Sequence, residues 1–388
     1  MNVLVVNAGS STLKYQVIDT KSHKVSAKGS CERVCFTGGT FTHAANGSKK
    51  VTENIEFPDH KVAIEVVLKD LEANGVKIEG IGHRIVQGGW YFGDSSLVDE
   101  DVLAKIREVA PLAPLHNNPE ANVIEYCLEQ YPDLPNVTVY DTAFHFNMPE
   151  VAKTYALPKD VCDKLHIRKY GAHGTSYRYI SKKVAEMTNG EARKVVVCHI
   201  GSGASLCAIE DGKCMDTTMG LTPLDGVMMG TRCGDIDPYI PLYICKTQNK
   251  TPDEVNEILN KKSGMFGLCG YSDNRDIETL YGVEECATDA LNAYIHSIIR
   301  FIGAYIAVLG GVDAIVFTAG IGENGSLVRK LVIERLAYLG ITLDEEANSK
   351  RGDITEISTK DSKVRVFVIP TDEEYMIAKD TMNIVFGA

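Results

Sequence analysis

The chain has 388 residues, 44% hydrophobic and 24% charged, with a formal net charge of −12. That length predicts two or three domains, each large enough for its own core. The negative surface argues against nucleic acid and acidic membranes as partners, so an anionic substrate requires a local cluster of cationic side chains.

The eleven cysteines are scattered without the pairing of a metal site, Cys31 and Cys35 lying nearest together. They read as thiols in a reducing cytoplasm. Met1 leads straight into an apolar run with no basic segment before it, unlike a signal peptide. The apolar stretch Phe301–Leu309 falls well short of the ~20 residues that cross a bilayer, so a soluble protein is expected.

In chain order, Val3–Asp19 predicts two strands joined by a small-residue loop at Gly9-Ser10, and the polar stretch 41–57 a further strand pair ending at Pro58. Val62, Val66, Val67 and Leu71 recur at helical spacing within His60–Gly75. Ile78–Val86 reads as a strand carrying Arg84 and running into Gly88-Gly89. A helix over Asp99–Val109, a proline-punctuated loop over Pro111–Pro119 and a helix over Glu120–Gln130 follow. The strand Val137–Tyr140 then delivers Asp141 at its carboxyl end, where ligands of open α/β sheets sit.

Pro149 and Pro158 bracket a crossover, and a helix spans Ser176–Thr188. Val195–Asp211 repeats the opening design: strand, loop Gly201-Ser202-Gly203-Ala204-Ser205, strand. Thr217–Pro238 is a long loop, Pro252–Asn260 a short helix and Ala287–Leu309 a long one. Val312–Phe317 predicts a buried strand before a glycine-rich loop and a helix over Ser326–Leu339. Ile341–Leu343 is strand-like, Val364–Ile369 is the last strand, and the helix Glu373–Asn383 is expected to return to the first domain. Alternating strands and helices in both halves predict an α/β fold.

Val3 aligns with Val195 and Gly9 with Gly201, an offset of 192 residues, about half the chain. A repeat of that period predicts two related domains, each presenting a loop whose backbone N–H groups suit phosphate, on either side of a cleft. Two unrelated hairpins remain the alternative on the repeat alone.

Candidate side chains gather beside glycines: Asn7, Lys14, Arg84, Asp141, His145, His173, His199, Arg232, Asp235 and Asp237. Singly, each has a plainer reading as a surface charge, a turn residue or, for Asp235 and Asp237, a helix cap at Pro238. Gly320-Ile-Gly322-Glu-Asn-Gly325, with Asp344 19 residues on, also fits a dinucleotide fingerprint, which keeps a nicotinamide-dependent oxidoreductase as a rival. No Walker A loop is present: Gly212-Lys213-Cys214 lacks the upstream glycine and the Ser/Thr.

Nine stretches then resemble the acetate kinase family of the actin and sugar-kinase superfamily. They are Asn7–Lys14, Gly82–Gly89, Ala113–Asn117, Asp141–His145, Tyr170–Ser176, His199–Ser205, Met229–Pro238, Phe317–Asn324 and Ile369–Glu374. They run in the family's order from end to end. The resemblance implies two duplicated actin-like (ribonuclease H-like) domains around a central cleft, residues 1–148 completed by the helix 375–388, and residues 149–374 holding the nucleotide, commonly in a homodimer.

It implies reversible phosphoryl transfer between ATP and acetate, giving ADP and acetyl phosphate, with Mg²⁺ or Mn²⁺. Lys14, His199, Ile200, Gly201, Ser202, Gly203, Asp273, Asn274, Arg275, Gly320, Ile321, Gly322, Glu323 and Asn324 match its ATP site, and Asn7 and Glu373 its metal ligands. Arg84 matches the carboxylate-binding group, with Val86, Leu115, Ala172 and Pro223 as the methyl pocket. His173 and Arg232 match the groups that stabilise the moving phosphoryl, and Asp141 the catalytic acid. Acetate is already ionised at neutral pH, so an orienting role for Asp141 suits the chemistry better than a base. Three positions depart from the family: Ala172 replaces Phe, which leaves room for propionate; Ser202 replaces Asn; and Cys233, a small filler or an oxidation-sensitive thiol, replaces Ser. An actin-like or heat-shock-type ATPase working a partner is the third reading.

Overall fold

The computed structural model describes residues 1–45 and 48–387. The chain forms two compact units, Met1–Phe146 with the segment from Asp372 onward, and Asn147–Thr371.

The first unit opens with β1 (Asn2–Ala8), β2 (Thr12–Asp19), β3 (Lys24–Glu32), β4 (Gly39–Ala45), β5 (Ser48–Ile55) and α1 (His60–Ala73). There follow β6 (Gly80–Ile85), β7 (Ser96–Leu97), α2 (Glu100–Val109), α3 (Pro114–Gln130) and β8 (Asn136–Tyr140). The second unit begins with α4 (Glu150–Lys153), α5 (Lys159–Leu165), α6 (Gly174–Met187), β9 (Lys194–Ile200), β10 (Ala204–Glu210) and β11 (Lys213–Thr217). Its helices α7 (Tyr239–Gln248), α8 (Pro252–Lys261), α9 (Gly264–Cys269), α10 (Asn274–Leu280) and α11 (Glu285–Leu309) come next. Then β12 (Ala314–Thr318) leads to α12 (Ala319–Asn324), α13 (Ser326–Arg335), α14 (Glu345–Asn348), β13 (Thr355–Glu356) and β14 (Arg365–Val368). The last helix, α15 (Glu373–Phe386), belongs to the first unit.

The first sheet runs β5-β4-β3-β2-β1-β6-β8-β7 and the second β11-β10-β9-β12-β14-β13. In each, a three-stranded antiparallel meander continues into two parallel strands: β3-β2-β1-β6-β8 in one, β11-β10-β9-β12-β14 in the other. The half-chain repeat is therefore a repeat of topology, not of one hairpin.

Four expectations are corrected. Helix α3 starts at Pro114, inside the stretch read as loop, because a proline at the first helical position gives up an N–H that has no partner there anyway. Pro119 lies within that helix. The glycine-rich segment after β12 is the helix α12, entered through Ala319 at φ +65°. Ile341–Leu343 forms no strand, only a single bridge from Leu343 to Ser358. Asp344, the acidic residue a dinucleotide fingerprint needs at a strand end, caps α14 by accepting the Ala347 N–H at 2.9 Å. That removes the oxidoreductase reading.

Helix α11 was legible from residue 287 onward, and among the described residues it is the one helix long and apolar enough to cross a membrane. Its residues Leu291, Tyr294, Ile295, Ile298, Ile302 and Tyr305, spaced by three and four, lie in the second unit's core. Helix α15 covers the face of β1, β6 and β8 that carries Val3, Val5, Val137 and Val139. It can approach because β6 has glycines there: a Cβ on Gly82 would lie 2.5 Å from Thr381 Oγ1 and 2.6 Å from Ile377 Cγ2. Gly82→Ala is expected to lower stability by about 1–3 kcal/mol, read as a fall in Tm, because the helix must back away from the sheet.

Candidate active site

In the first unit, three parallel strands end together. β1 delivers Asn7, β6 delivers Arg84 and then Val86, and β8 delivers Asp141, whose N–H donates to the Ile85 carbonyl at 2.8 Å. Arg84 meets Asp141 through two donors, Nε to Oδ1 at 3.1 Å and one terminal nitrogen to Oδ2 at 2.6 Å. Asp141 is 2% exposed and Arg84 21%. Burial opposes the charge on Arg84, but Asp141, Glu373 and Glu120 outweigh it and hold the guanidinium ionised. Asp141 uses only one edge of the guanidinium fork, and among the described residues no side chain bonds the other edge, which a second carboxylate can take.

Glu373 opens α15, whose N-cap Asp372 accepts the Tyr375 N–H. Burial pushes its carboxyl up to about 7 against the pull of Arg84, with Asp141 and Glu374 adding to the rise. Asp141 and Glu373 thus share one guanidinium in a buried setting, an arrangement that a divalent cation would stabilise. The amide oxygen of Asn7 and the carboxylate of Glu373 are hard donors of the kind Mg²⁺ takes. A ligand must be deprotonated to bind, so apparent Mg²⁺ affinity is expected to weaken as pH falls below about 7, approaching tenfold per unit. Titrating Mg²⁺ at pH 6, 7 and 8 checks this; an affinity flat across that range would exclude Glu373 as a ligand.

Lys14 lies opposite Asn7 in the β1–β2 register, and both line a shallow cavity of about 380 Å³. Val86 is buried, whereas Leu115, in the first turn of α3, is 60% exposed. His145 is fully buried in a short helical turn.

In the second unit, β9 carries His199 into the loop Gly201–Gly203, and β12 runs parallel to it with Thr318 opposite His199. Gly201 therefore lies beside Ala319 and Gly320, at the start of α12. His173 sits at φ +58° as the N-cap of α6, its ring stacked on His199 with centroids 4.0 Å apart. Ser205 holds His173 Nδ1 at 2.8 Å and Ser176 holds His199 Nδ1 at 2.9 Å. A Cβ on Gly203 would stand 3.6 Å from an Arg232 guanidinium nitrogen and 3.7 Å from His173 Nε2. Arg232 and His173 thus both approach the glycine loop at Gly203.

Arg232 donates to the Pro223 carbonyl at 3.0 Å, and among the described residues no carboxylate pairs with it. Burial pulls its pKa down from the usual guanidinium value. Its loop is pinned at the base: Asp235 accepts the Gly226 N–H at 2.9 Å, and Tyr155 donates to Asp225 at 3.1 Å. Burial and a hydrogen bond shared with Asp225 push Asp235 up to about 6. Asp237 accepts the Tyr239 N–H and caps α7, the plainer of its two readings. The Cys233 thiol is half-buried and donates to the Gly234 carbonyl; burial raises its pKa, which favours the filler over the reactive thiol.

A cavity of about 830 Å³ is lined by Gly201, Ser202, Asp273, Asn274, Arg275, Gly320, Ile321 and Asn324. Ile200, Gly322 and Glu323, also matched to the ATP site, are not among its lining residues, and Glu323 accepts the Thr371 N–H. Sequence reasoning missed Arg329. It is fully buried on α13 and donates to the carbonyls of Gly322 and Glu323 at 2.8 and 2.9 Å and to Asn348, fixing the end of α12. An arginine on a predicted helix gives no warning of burial.

The acetokinase family model matches residues 2–379. The chain belongs to the acetokinase family. The acetate kinase of Clostridium novyi is 49% identical over 396 residues, covering 99% of this chain and 98% of that protein. The crystal structure of Porphyromonas gingivalis acetate kinase aligns with a TM-score of 0.93 at 40% identity, covering 99% of each chain. A propionate kinase from Francisella tularensis aligns equally well, with a TM-score of 0.93 at 40% identity over 98% of this chain and 99% of its own. The acetokinase fold explains the duplicated sheets and the position of the glycine loops at the ends of β9 and β12.

Proposed function

We propose that this acetokinase transfers the γ-phosphoryl group of ATP to acetate, reversibly, giving ADP and acetyl phosphate. The observation that carries the reading is the guanidinium of Arg84, locked along one edge by a buried aspartate and open along the other. Such a fork fits a carboxylate by two parallel hydrogen bonds. The nucleophile is already an anion, so no side chain need remove a proton from it. Asp141, engaged with Arg84, acts as the group that orients that guanidinium. His173 and Arg232 neutralise charge on the equatorial oxygens of the moving phosphoryl, and the backbone N–H groups of Gly201–Gly203 hold the phosphate chain. Asn7 and Glu373 would hold Mg²⁺, which would supply further charge neutralisation on the phosphates.

A hydroxamate trap for acyl phosphate, run with ATP and acetate, tests the activity; absence of acyl hydroxamate overturns it. Run also with propionate and butyrate, it tests the room left by Ala172, since Ala172→Phe is expected to cut propionate use more than acetate use. A homodimer is part of the same proposal. None of the ten residues of α7 is buried, and Tyr239, Ile240, Leu242 and Tyr243 are all exposed on it. A second copy of the chain is the occupant proposed for that apolar surface. A monomeric mass by sedimentation would remove it.

A further inference from the structure

The segment after β6 carries Val86 into the acyl subsite, and it has no ladder partners there. Each of its amides is instead taken by a side chain. Gln87 N–H donates to Asn117 Oδ1 at 3.1 Å, Gly88 N–H to Thr142 Oγ1 at 3.0 Å and Gly89 N–H to Gln87 Oε1 at 2.8 Å. The Val86 N–H is shared by both carboxyl oxygens of Glu120, at 3.3 and 3.2 Å. Glu120 is 2% exposed, on the face of α3 turned into the unit, and has Arg84 and Asp141 as its charged neighbours.

A buried carboxyl is a costly way to hold one amide, since an amide side chain would accept the same bond without the desolvation of an ionisable group. Burial pushes the Glu120 carboxyl well above the usual carboxylate range, so it meets the Val86 amide as a neutral acceptor beside the Arg84–Asp141 pair. We infer that Glu120 is a positioning residue for the acyl subsite, fixing Val86 through its amide beside Arg84. This rests on the reading of Arg84 as the carboxylate-binding group. It makes Glu120 a determinant of acetate binding and not of nucleotide binding, because its hydrogen-bond partner Val86 and its charged neighbours Arg84 and Asp141 all lie at the ends of β6 and β8.

The test compares E120M, which keeps the volume and removes the acceptor, with E120Q, which keeps an acceptor oxygen. Acetate is varied at saturating ATP, and ATP at saturating acetate. E120M is expected to raise the KM for acetate about tenfold, the size expected when a buried amide loses its acceptor. Its KM for ATP should stay within about twofold, and E120Q should recover most of the loss. An unchanged acetate KM in E120M, or acetate and ATP KM values rising together, overturns the inference. If E120M does not accumulate folded, E120A, which leaves space for a water molecule, is judged by the same two criteria. If the unaltered enzyme makes no acetyl hydroxamate, the activity itself is wrong, and that outcome is separate from any result on Glu120.

Discussion

Arg232→Ala is expected to lower kcat about 10³-fold while leaving the KM for ATP within a few-fold, as for other cationic clamps on a transferring phosphoryl group. The guanidinium is held by a neutral carbonyl at Pro223 and by no carboxylate, so its charge is unspent. It lies beside Gly203, close to His173. Removing it leaves the glycine loop and the cavity beside Gly320 intact, so ground-state binding of ATP is expected to persist. The lost interaction is the one that grows as charge spreads onto the equatorial oxygens, so the effect falls on turnover. Arg232→Lys should recover only part of it, because a point charge cannot span two oxygens. Steady-state kinetics on both variants, with Tm as a folding control, decide the matter; a loss below tenfold in Arg232→Ala would take this residue out of the chemistry.

Arg84→Ala carries two separable effects. The first is on acetate: kcat/KM is expected to fall by about 10³ or more, since a desolvated charge pair with the substrate is lost. The second is on stability. Asp141, 2% exposed, would be left without its cation, and breaking a buried pair from one side costs about 3–5 kcal/mol. Adding Asp141→Ala should return most of the stability, because no orphaned carboxylate remains, yet none of the acetate use. Chemical denaturation and acetate kinetics on the two single variants and the double variant form the cycle. Recovery of acetate use in the double variant would mean that Arg84 served only to hold Asp141.

Much of this was legible in the residues. Period-2 and period-3.6 patterns placed β1, β2, β6, β8, α1 and α11 within a few positions, and the half-chain offset anticipated a duplicated sheet. The missed elements share a physical cause. Pro114 and Pro119 read as breakers, but a proline at a helix start costs little, and the local packing of α3 carries the second one. Gly320 and Gly322 read as loop residues, but the helix they form is short and is fixed from outside by Arg329. The amphipathic signal of α7 is absent because no face of it is buried within the unit.

The site was legible as residue types and not as partnerships. Arg84 and Asp141 are 57 positions apart, and nothing in either neighbourhood tells that one occupies half of the other. Glu120 stood at the boundary of a predicted loop, where a glutamate reads as solvated. Its burial follows from α3 starting six residues earlier, which turns that position inward.

The first unit is closed by the last helix of the chain, and this bears on how the protein is made. While the ribosome is still working, Val3, Val5, Val137 and Val139 have no cover, because Ile377 and Ala378 have yet to be translated. The second unit is continuous from Asn147 to Thr371 and can complete itself first, reversing the usual order of folding from the amino end. A chain ending at residue 371 should accordingly be cut by protease within its first 146 residues and resist it thereafter.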